Sequence, residues 1–284
     1  MMVLLYVALL LYRNEVIMKE KHVAFIYDFD GTLAHGNIQD YNFIPSLNIT
    51  SDEFWNEVDE LKVKNNMENV LAYMYLMLKK AKENNISVKK TDFIEYGKNI
   101  EFYPGVTDWF NRINAFASSL GITTHHYIIS SGIKEMIEGT DIENYFEKVY
   151  ACSFLYDKDE VAIWPAVSVN YTNKTQFLYR INKGIYEVYD ASINDKMLES
   201  EKKISFANMI YFGDGMTDVP CMKLVKDGGG HAISLYEEDN TLSVKLLKDG
   251  RVNYIAKTDY TEASDLDKYV KSVLVDINKR TDNE

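Results

Sequence analysis

Two short acidic strings carry the chemistry this sequence offers. The first, Asp28-Phe29-Asp30-Gly31-Thr32, directly follows the apolar run His22–Tyr27. In extended chain, residues i and i+2 project to the same side, so Asp28 and Asp30 present two carboxylates to one crevice. The second, Gly213-Asp214-Gly215-Met216-Thr217-Asp218, also follows an apolar run, Asn208–Phe212. Asp214 and Asp218 are four apart and share one face of a turn. Asp-Gly on its own is a common hairpin turn, but Leu33-Ala34-His35-Gly36-Asn37 supplies no second alternating strand. A helix-capping role for Asp218 would explain one carboxylate and not the pair. Three or four carboxylates at close range repel unless a cation joins them, and an oxygen-only ligand set suits Mg²⁺.

The elements that must position these residues follow from hydrophobic spacing. His22–Tyr27 reads as a strand buried on both faces. From Asn37 to Ile100 the pattern turns helical. Thr50 and Glu53 form a capping box ahead of Phe54, Val58 and Leu61, and Met67, Val70, Leu71, Met74 and Leu78 continue at helical spacing. The Tyr73, Met74, Tyr75 and Met77 stripe is read as packing for this helical unit. After Tyr103-Pro104-Gly105 comes an amphipathic helix, Val106–Leu120, stopped by Gly121. A strand at His126–Ile129 then runs into Ser130-Ser131-Gly132. A helix is expected over Ile133–Phe146, a strand at Lys148–Cys152, a β-hairpin within 153–170, and a helix at Lys174–Ile181. A polar insertion at 185–205 with a short helix, strands at Asn208–Phe212 and Ala232–Tyr236, and a closing helix at Glu262–Asn278 complete the chain. Strands alternating with helices predict an α/β fold, a doubly wound parallel (Rossmann-like) sheet. Ligands bind such sheets at the carboxyl ends of the strands. The helical block interrupts the alternation as an inserted α-helical cap, which divides the chain into a core of 18–35 plus 103–284 and a cap of 36–102.

Composition narrows the function classes. The chain has 284 residues, 46% of them hydrophobic, with 31 Lys+Arg against 43 Asp+Glu and a formal charge of −12. That is a globular composition with room for a core. The acidity argues against a nucleic-acid partner, whose phosphates would need Lys and Arg, and any phosphate-handling site must draw positive charge from elsewhere. Cys152 and Cys221 show no CxxC or Cys/His ligand spacing, so neither a disulfide framework nor a zinc site is indicated, and a reducing, cytoplasmic compartment is expected. The five histidines have no metal-ligand pattern and are given no role beyond loop contacts. The apolar run at 1–12 is shorter than the about 20 residues a spanning helix needs. It also lacks a signal peptide's charged start and cleavage site. No membrane partner is expected, and residues 1–17 are read as an over-extended start ahead of Met18. The oligomeric state is left open.

In order and type, the motifs resemble those of the haloacid dehalogenase-like superfamily: DFDGT at 28–32, Ser130 in IISSG, Lys174 in NKTQF, and GDGMTD at 213–218. The resemblance is closest to the phosphoserine phosphatase-like branch. It implies Asp28 as a nucleophile forming an aspartyl-phosphate, with Asp30 as the acid and then the base. Mg²⁺ would be held by Asp28, the Asp30 carbonyl and Asp214, with Asp218 direct or one step removed. Lys174 would supply positive charge, and phosphate would be bound by Lys174 and by Ser130 with Ser131 and Gly132 around it. Ser131 stands as an alternative to Ser130, and Lys183 to Lys174. The implied activity is Mg²⁺-dependent hydrolysis of a small phosphorylated metabolite. Transfer to another acceptor, as in a mutase, is the alternative on the same fold. A receiver-type signalling module is disfavoured by Asp30 and by the inserted block. The 185–205 insertion departs from the phosphoserine phosphatase pattern and argues against phosphoserine itself.

Overall fold

The computed structural model describes residues 21–280; the expected start at Met18 lies outside them. β1 (Lys21–Tyr27) leads into five helices: α1 (Ile38–Tyr41), α2 (Phe43–Ser46), α3 (Ser51–Asn65), α4 (Asn69–Glu83) and α5 (Lys90–Tyr96). α6 (Val106–Ser119) returns the chain to β2 (Ile122–Ile133), followed by α7 (Lys134–Glu138), β3 (Lys148–Tyr156), β4 (Ala162–Val167) and α8 (Lys174–Lys183). The chain continues through β5 (Met209–Gly213), α9 (Val219–Asp227), β6 (His231–Tyr236), α10 (Thr241–Lys248), β7 (Tyr254–Lys257) and α11 (Asp265–Arg280).

These strands form one sheet in the order β4-β3-β2-β1-β5-β6-β7, every neighbouring pair parallel except β3 with β4. β1 is central, and Val23 through Tyr27 are fully buried because helices cover both faces. From β1 the chain builds outward through β2 and β3, then crosses back to build β5, β6 and β7 on the other side. The reversal falls between β1 and β5, where a crevice opens at the carboxyl ends of the strands. Asp28 and Asp214 sit at those two ends, and the Asp28 amide donates to the Phe212 carbonyl across the gap, at 2.9 Å.

The five-helix block rises from this same edge. Its entering and leaving segments are zipped together: His35 N–H donates to the Glu101 carbonyl at 3.1 Å and Tyr103 N–H to the Leu33 carbonyl at 3.0 Å. The capping box opens α3, with the Glu53 amide donating to Thr50 Oγ1 at 3.2 Å and the Thr50 amide to Glu53 Oε2 at 2.8 Å. In α4 the Tyr73, Met74 and Met77 side chains are buried, but Tyr75 is 48% exposed. It shares the outward face with Leu71, one helical turn earlier.

Four further expectations are corrected. The helix over Ile133–Phe146 is only α7 and a 3₁₀ turn at Glu143–Tyr145. It stops at Gly139, where a Cβ would lie 1.9 Å from the Ile94 carbonyl oxygen, so the chain presses against α5 instead of continuing. β2 begins at Ile122, because Thr123 and Thr124 fit a strand as β-branched residues although their polarity hides it. β7, reached through α10, extends the sheet beyond the fifth expected strand. His126 is a buried strand residue and not a loop contact.

The 185–205 insertion holds two 3₁₀ turns, Ala191–Asn194 and Glu199–Glu201. It is strapped to α8 by side chains that donate to its carbonyls. Arg180 reaches Glu187 at 2.6 Å and Val188 at 3.0 Å, Asn182 reaches Ile204 at 2.7 Å, and Lys183 reaches Ile193 and Asp195 at 2.6 and 2.7 Å. The insertion therefore buttresses the helix that begins with Lys174. Among the described residues, no helix is long and apolar enough to cross a membrane, and both cysteines are buried and free.

Candidate active site

At the end of β1 the chain turns sharply. Thr32, Leu33 and Ala34 all donate their amides to the Phe29 carbonyl, and Gly31 takes a positive φ of 71°. Glycine is required there for a second reason: a Cβ would stand 2.3 Å from Asp214 Oδ2. The turn thus brings the two acidic strings into contact. At the end of β5, Gly213 plays a similar part, since a Cβ would lie 2.5 Å from Asp218 Cγ.

Carboxylate oxygens of Asp28, Asp214 and Asp218 lie within 4.8 Å of one another. Lys174, fully buried, places Nζ 2.9 Å from both Asp28 Oδ2 and Asp218 Oδ1. Asp28 Oδ1 accepts from the Phe29 amide at 2.8 Å, and Asp218 Oδ1 also accepts from the Tyr211 hydroxyl at 2.7 Å. Asp218 Oδ2 accepts from the Gly215 amide and Asp214 Oδ1 from the Thr32 hydroxyl, at 3.2 and 3.3 Å. Burial, and then the Asp218 charge, raise the Asp28 carboxyl well above its ordinary range against the opposing pull of Lys174. The same two causes raise Asp214 to about 7. Burial works against the Lys174 ammonium, but Asp218 and Asp28 outweigh it and raise its pKa. Carboxylates that resist ionisation so close together are suited to a cation, and the all-oxygen donor set fits Mg²⁺.

The Asp30 carboxylate is not one of the three. Its Oδ1 accepts from the Ile38 amide at 2.9 Å, at the start of the helical block, and burial raises its pKa to about 7. Its Oδ2 lies 3.1 Å from where a Gly132 Cβ would be, so the carboxyl end of β2 packs directly against it. Of the two serines, Ser130 is fully buried and its Oγ accepts from the Gly132 amide at 2.9 Å, while the Ser131 Oγ is buried with no partner. Lys174 lies in the site, whereas Lys183 is spent on carbonyls of the insertion.

Strand ends and helical block enclose a cavity of about 360 Å³. Asp28, Asp30, Asp214, Gly215, Thr217 and Ser131 line it from the core, and Asn37, Gln39, Trp55, Glu68, Asn69 and Tyr73 from the helical side. Sequence reasoning missed Gln39, Trp55 and Glu68. Glu68 caps α4 with its carboxylate on the Leu71 amide at 3.2 Å, but glutamate is not among the usual capping residues, so like Gln39 and Trp55 it carried no sequence signal.

A family model described as haloacid dehalogenase-like hydrolase matches residues 25–179. A Borreliella burgdorferi protein described as uncharacterized is 29% identical over 279 residues, covering 89% of this chain and 96% of that one. Among solved structures, a probable phosphoserine phosphatase from Vibrio cholerae superposes with a TM-score of 0.57 at 12% identity, over 92% of this chain and 67% of that one. A haloacid dehalogenase family hydrolase from Salmonella enterica serovar Typhi gives 0.56 at 12% identity, over 88% and 70%. A phosphoserine phosphatase in a phospho-aspartyl intermediate analogue state gives 0.52 at 15% identity, over 89% and 99%. At these identities the structural likeness is one of fold.

Proposed function

The chain belongs to the haloacid dehalogenase-like hydrolases, and we propose that within them it is a Mg²⁺-dependent phosphomonoesterase acting on a small organic phosphate. The observation that carries this reading is the buried cluster in which Lys174 stands 2.9 Å from both Asp28 and Asp218, beside Asp214. Asp28, Asp214, the Asp30 carbonyl and, directly or one step removed, Asp218 would hold Mg²⁺. When bound, the ion supplies the charge that lets an anionic carboxylate approach an anionic phosphate.

In this reading an Asp28 carboxylate oxygen attacks phosphorus, the bond from phosphorus to the alcohol oxygen breaks, and Asp30 gives its proton to the departing alkoxide. Asp30, now ionised, takes a proton from water as that water attacks the aspartyl-phosphate, which restores Asp28 and releases inorganic phosphate. Asp30 suits both steps because it is held off the carboxylate cluster by the Ile38 amide, beside Gly132. Lys174 pulls Asp28 toward its ionised form, with the bound cation adding to that pull, and aims it. Ser130, Ser131 and Gly132 at the carboxyl end of β2 would bind the phosphate; of the three, Ser131 lines the cavity and its hydroxyl has no other partner, while Ser130 accepts from the Gly132 amide.

The test is hydrolysis of an aryl phosphate by purified protein with Mg²⁺. Asp28→Asn should abolish turnover while circular dichroism and thermal unfolding remain those of a folded protein. Full activity in that variant would remove Asp28 as nucleophile.

A further inference from the structure

We infer that the helical side of the cavity selects a phosphomonoester whose alcohol carries an ammonium group and no second anion. The inference rests on the phosphatase reading for the phosphate end and on separate observations for the other end. The Gln39 side chain is 2% exposed, lines the cavity, and its Oε1 has no hydrogen-bond partner. Glu68, on the same wall, uses Oε2 to cap α4, and its buried Oε1 is likewise unpaired. A buried acceptor without a partner is costly, and here two of them, one on a carboxylate, belong to residues that line a single cavity. A ligand ammonium drawn against that wall would supply the N–H groups they lack.

Charge points the same way. The residues lining the cavity include Asp28, Asp30, Asp214 and Glu68 but no lysine, arginine or histidine. Lys174 is buried behind them between two carboxylates. A second phosphate or a carboxylate on the substrate would find no counter-charge, whereas an ammonium would find Glu68. Trp55 and Tyr73, whose rings stand 5.9 Å apart and near-perpendicular, add aromatic surface of the kind that attracts cations. The Trp55 indole N–H is held by Asp40 Oδ1 at 2.9 Å and the Tyr73 hydroxyl by the Ser131 carbonyl, so both rings are fixed before a ligand arrives.

The test pairs ω-aminoalkyl phosphates of two to six carbons with their ω-hydroxyalkyl counterparts, and adds serine O-phosphate. For the best chain length, kcat/KM for the amino compound should exceed that for the hydroxy compound about tenfold, with the difference in KM. Serine O-phosphate should be poorer than 2-aminoethyl phosphate. In Glu68→Gln, which keeps an oxygen for the Leu71 amide, the amino-to-hydroxy ratio should fall toward one through a rise in KM for the amino compound. A ratio near one at every length in the unsubstituted protein, or a ratio that survives Glu68→Gln, overturns the inference. Calorimetric Kd values for the same pairs in the presence of Mg²⁺ read the preference without turnover. Tenfold tighter amino binding without hydrolysis would support the ammonium site and refute the phosphatase reading, and equal Kd values would refute the ammonium site.

Discussion

Replacing His126 by Gln isolates one buried titration from the rest of the acid response. His126 is 3% exposed. Its ring stacks on Phe25 with centroids 5.0 Å apart and meets Phe110 edge-on at 5.3 Å. Nε2 lies 2.7 Å from Asn114 Oδ1, and Nδ1 lies 3.2 Å from the Tyr27 hydroxyl, which itself accepts from the Trp109 indole at 2.9 Å. With Asn114 accepting, the proton sits on Nε2 and Nδ1 accepts from Tyr27, so the neutral ring is fully satisfied and a second proton would have to displace the Tyr27 hydroxyl hydrogen. Burial, and then the neighbouring His125, lower its pKa from 6.5 to about 3. A folded pKa depressed in this way gives stability that is complete above 6.5 and declines as pH falls toward 3, because only the unfolded chain binds the proton in that window. At pH 5.0, about 1.5 pH units below the unfolded value, the loss is about 2 kcal/mol, whatever the folded value so long as it stays below about 4. His125 and His231 also titrate low, and Asp30 and Asp214 titrate high with the opposite sign. All of these are shared by both proteins and cancel in a double difference. His126→Gln, which keeps an N–H for Asn114, should therefore be less stable at pH 7.5 through lost packing, yet lose about 2 kcal/mol less than the unsubstituted protein between pH 7.5 and 5.0 in urea unfolding. A double difference below about 0.5 kcal/mol would mean that the imidazole is not held neutral by this pocket.

Three further outcomes follow from the site. Lys174→Met should cost about 3–5 kcal/mol in urea unfolding with chelator present, because it strands two buried carboxylates, and adding Asp218→Asn should restore part of that loss; no recovery would mean that the two do not share a charge pair. Mg²⁺ at 100 times its Kd should stabilise the protein by about 2.7 kcal/mol, and Asp214→Asn should erase most of that gain; an undiminished gain would place the ion elsewhere. Gly31→Ala should weaken Mg²⁺ at least tenfold by titration calorimetry, since its methyl group would occupy the space of Asp214 Oδ2 at a backbone angle alanine resists; unchanged affinity would mean that Asp214 is not pinned by this turn.

The strand ends were legible because their information is local. Val23–Tyr27 and Met209–Phe212 are continuous apolar runs, since helices bury both faces of a parallel sheet, and each acidic string follows its run without a gap. The choice between Lys174 and Lys183 was not local. Both lie on α8, and it is the strapping of the insertion to the far end of that helix that draws Lys183 away and leaves Lys174 over the carboxylates. The two serines differ only by which side of the β2 chain each faces, and they lie past the last residue paired with β1, where the register against β3 shifts, so simple alternation does not assign them. β7 has four residues, too few for a periodicity to register. Gln39 and Trp55 belong to different helices of the inserted block, and their shared cavity exists only after those helices pack.

The same distinction explains how an acidic protein can handle an acidic substrate. Asp28, Asp214 and Asp218 meet a single ammonium, Lys174, inside a buried cluster. Three carboxylates against one ammonium leave a deficit that one divalent cation closes, so in the proposed reading a phosphate dianion would enter a centre already neutralised. Burial raises both Asp30 and Asp214 to about 7, so before a cation arrives part of this negative charge is held off near neutral pH. Glu68 is the charge this centre does not balance, and it stands on the wall that belongs to the helical block. A substrate with its anion at one end and an ammonium at the other would complete both halves of the cavity, which is why selectivity should be altered at Glu68 and turnover at Asp28.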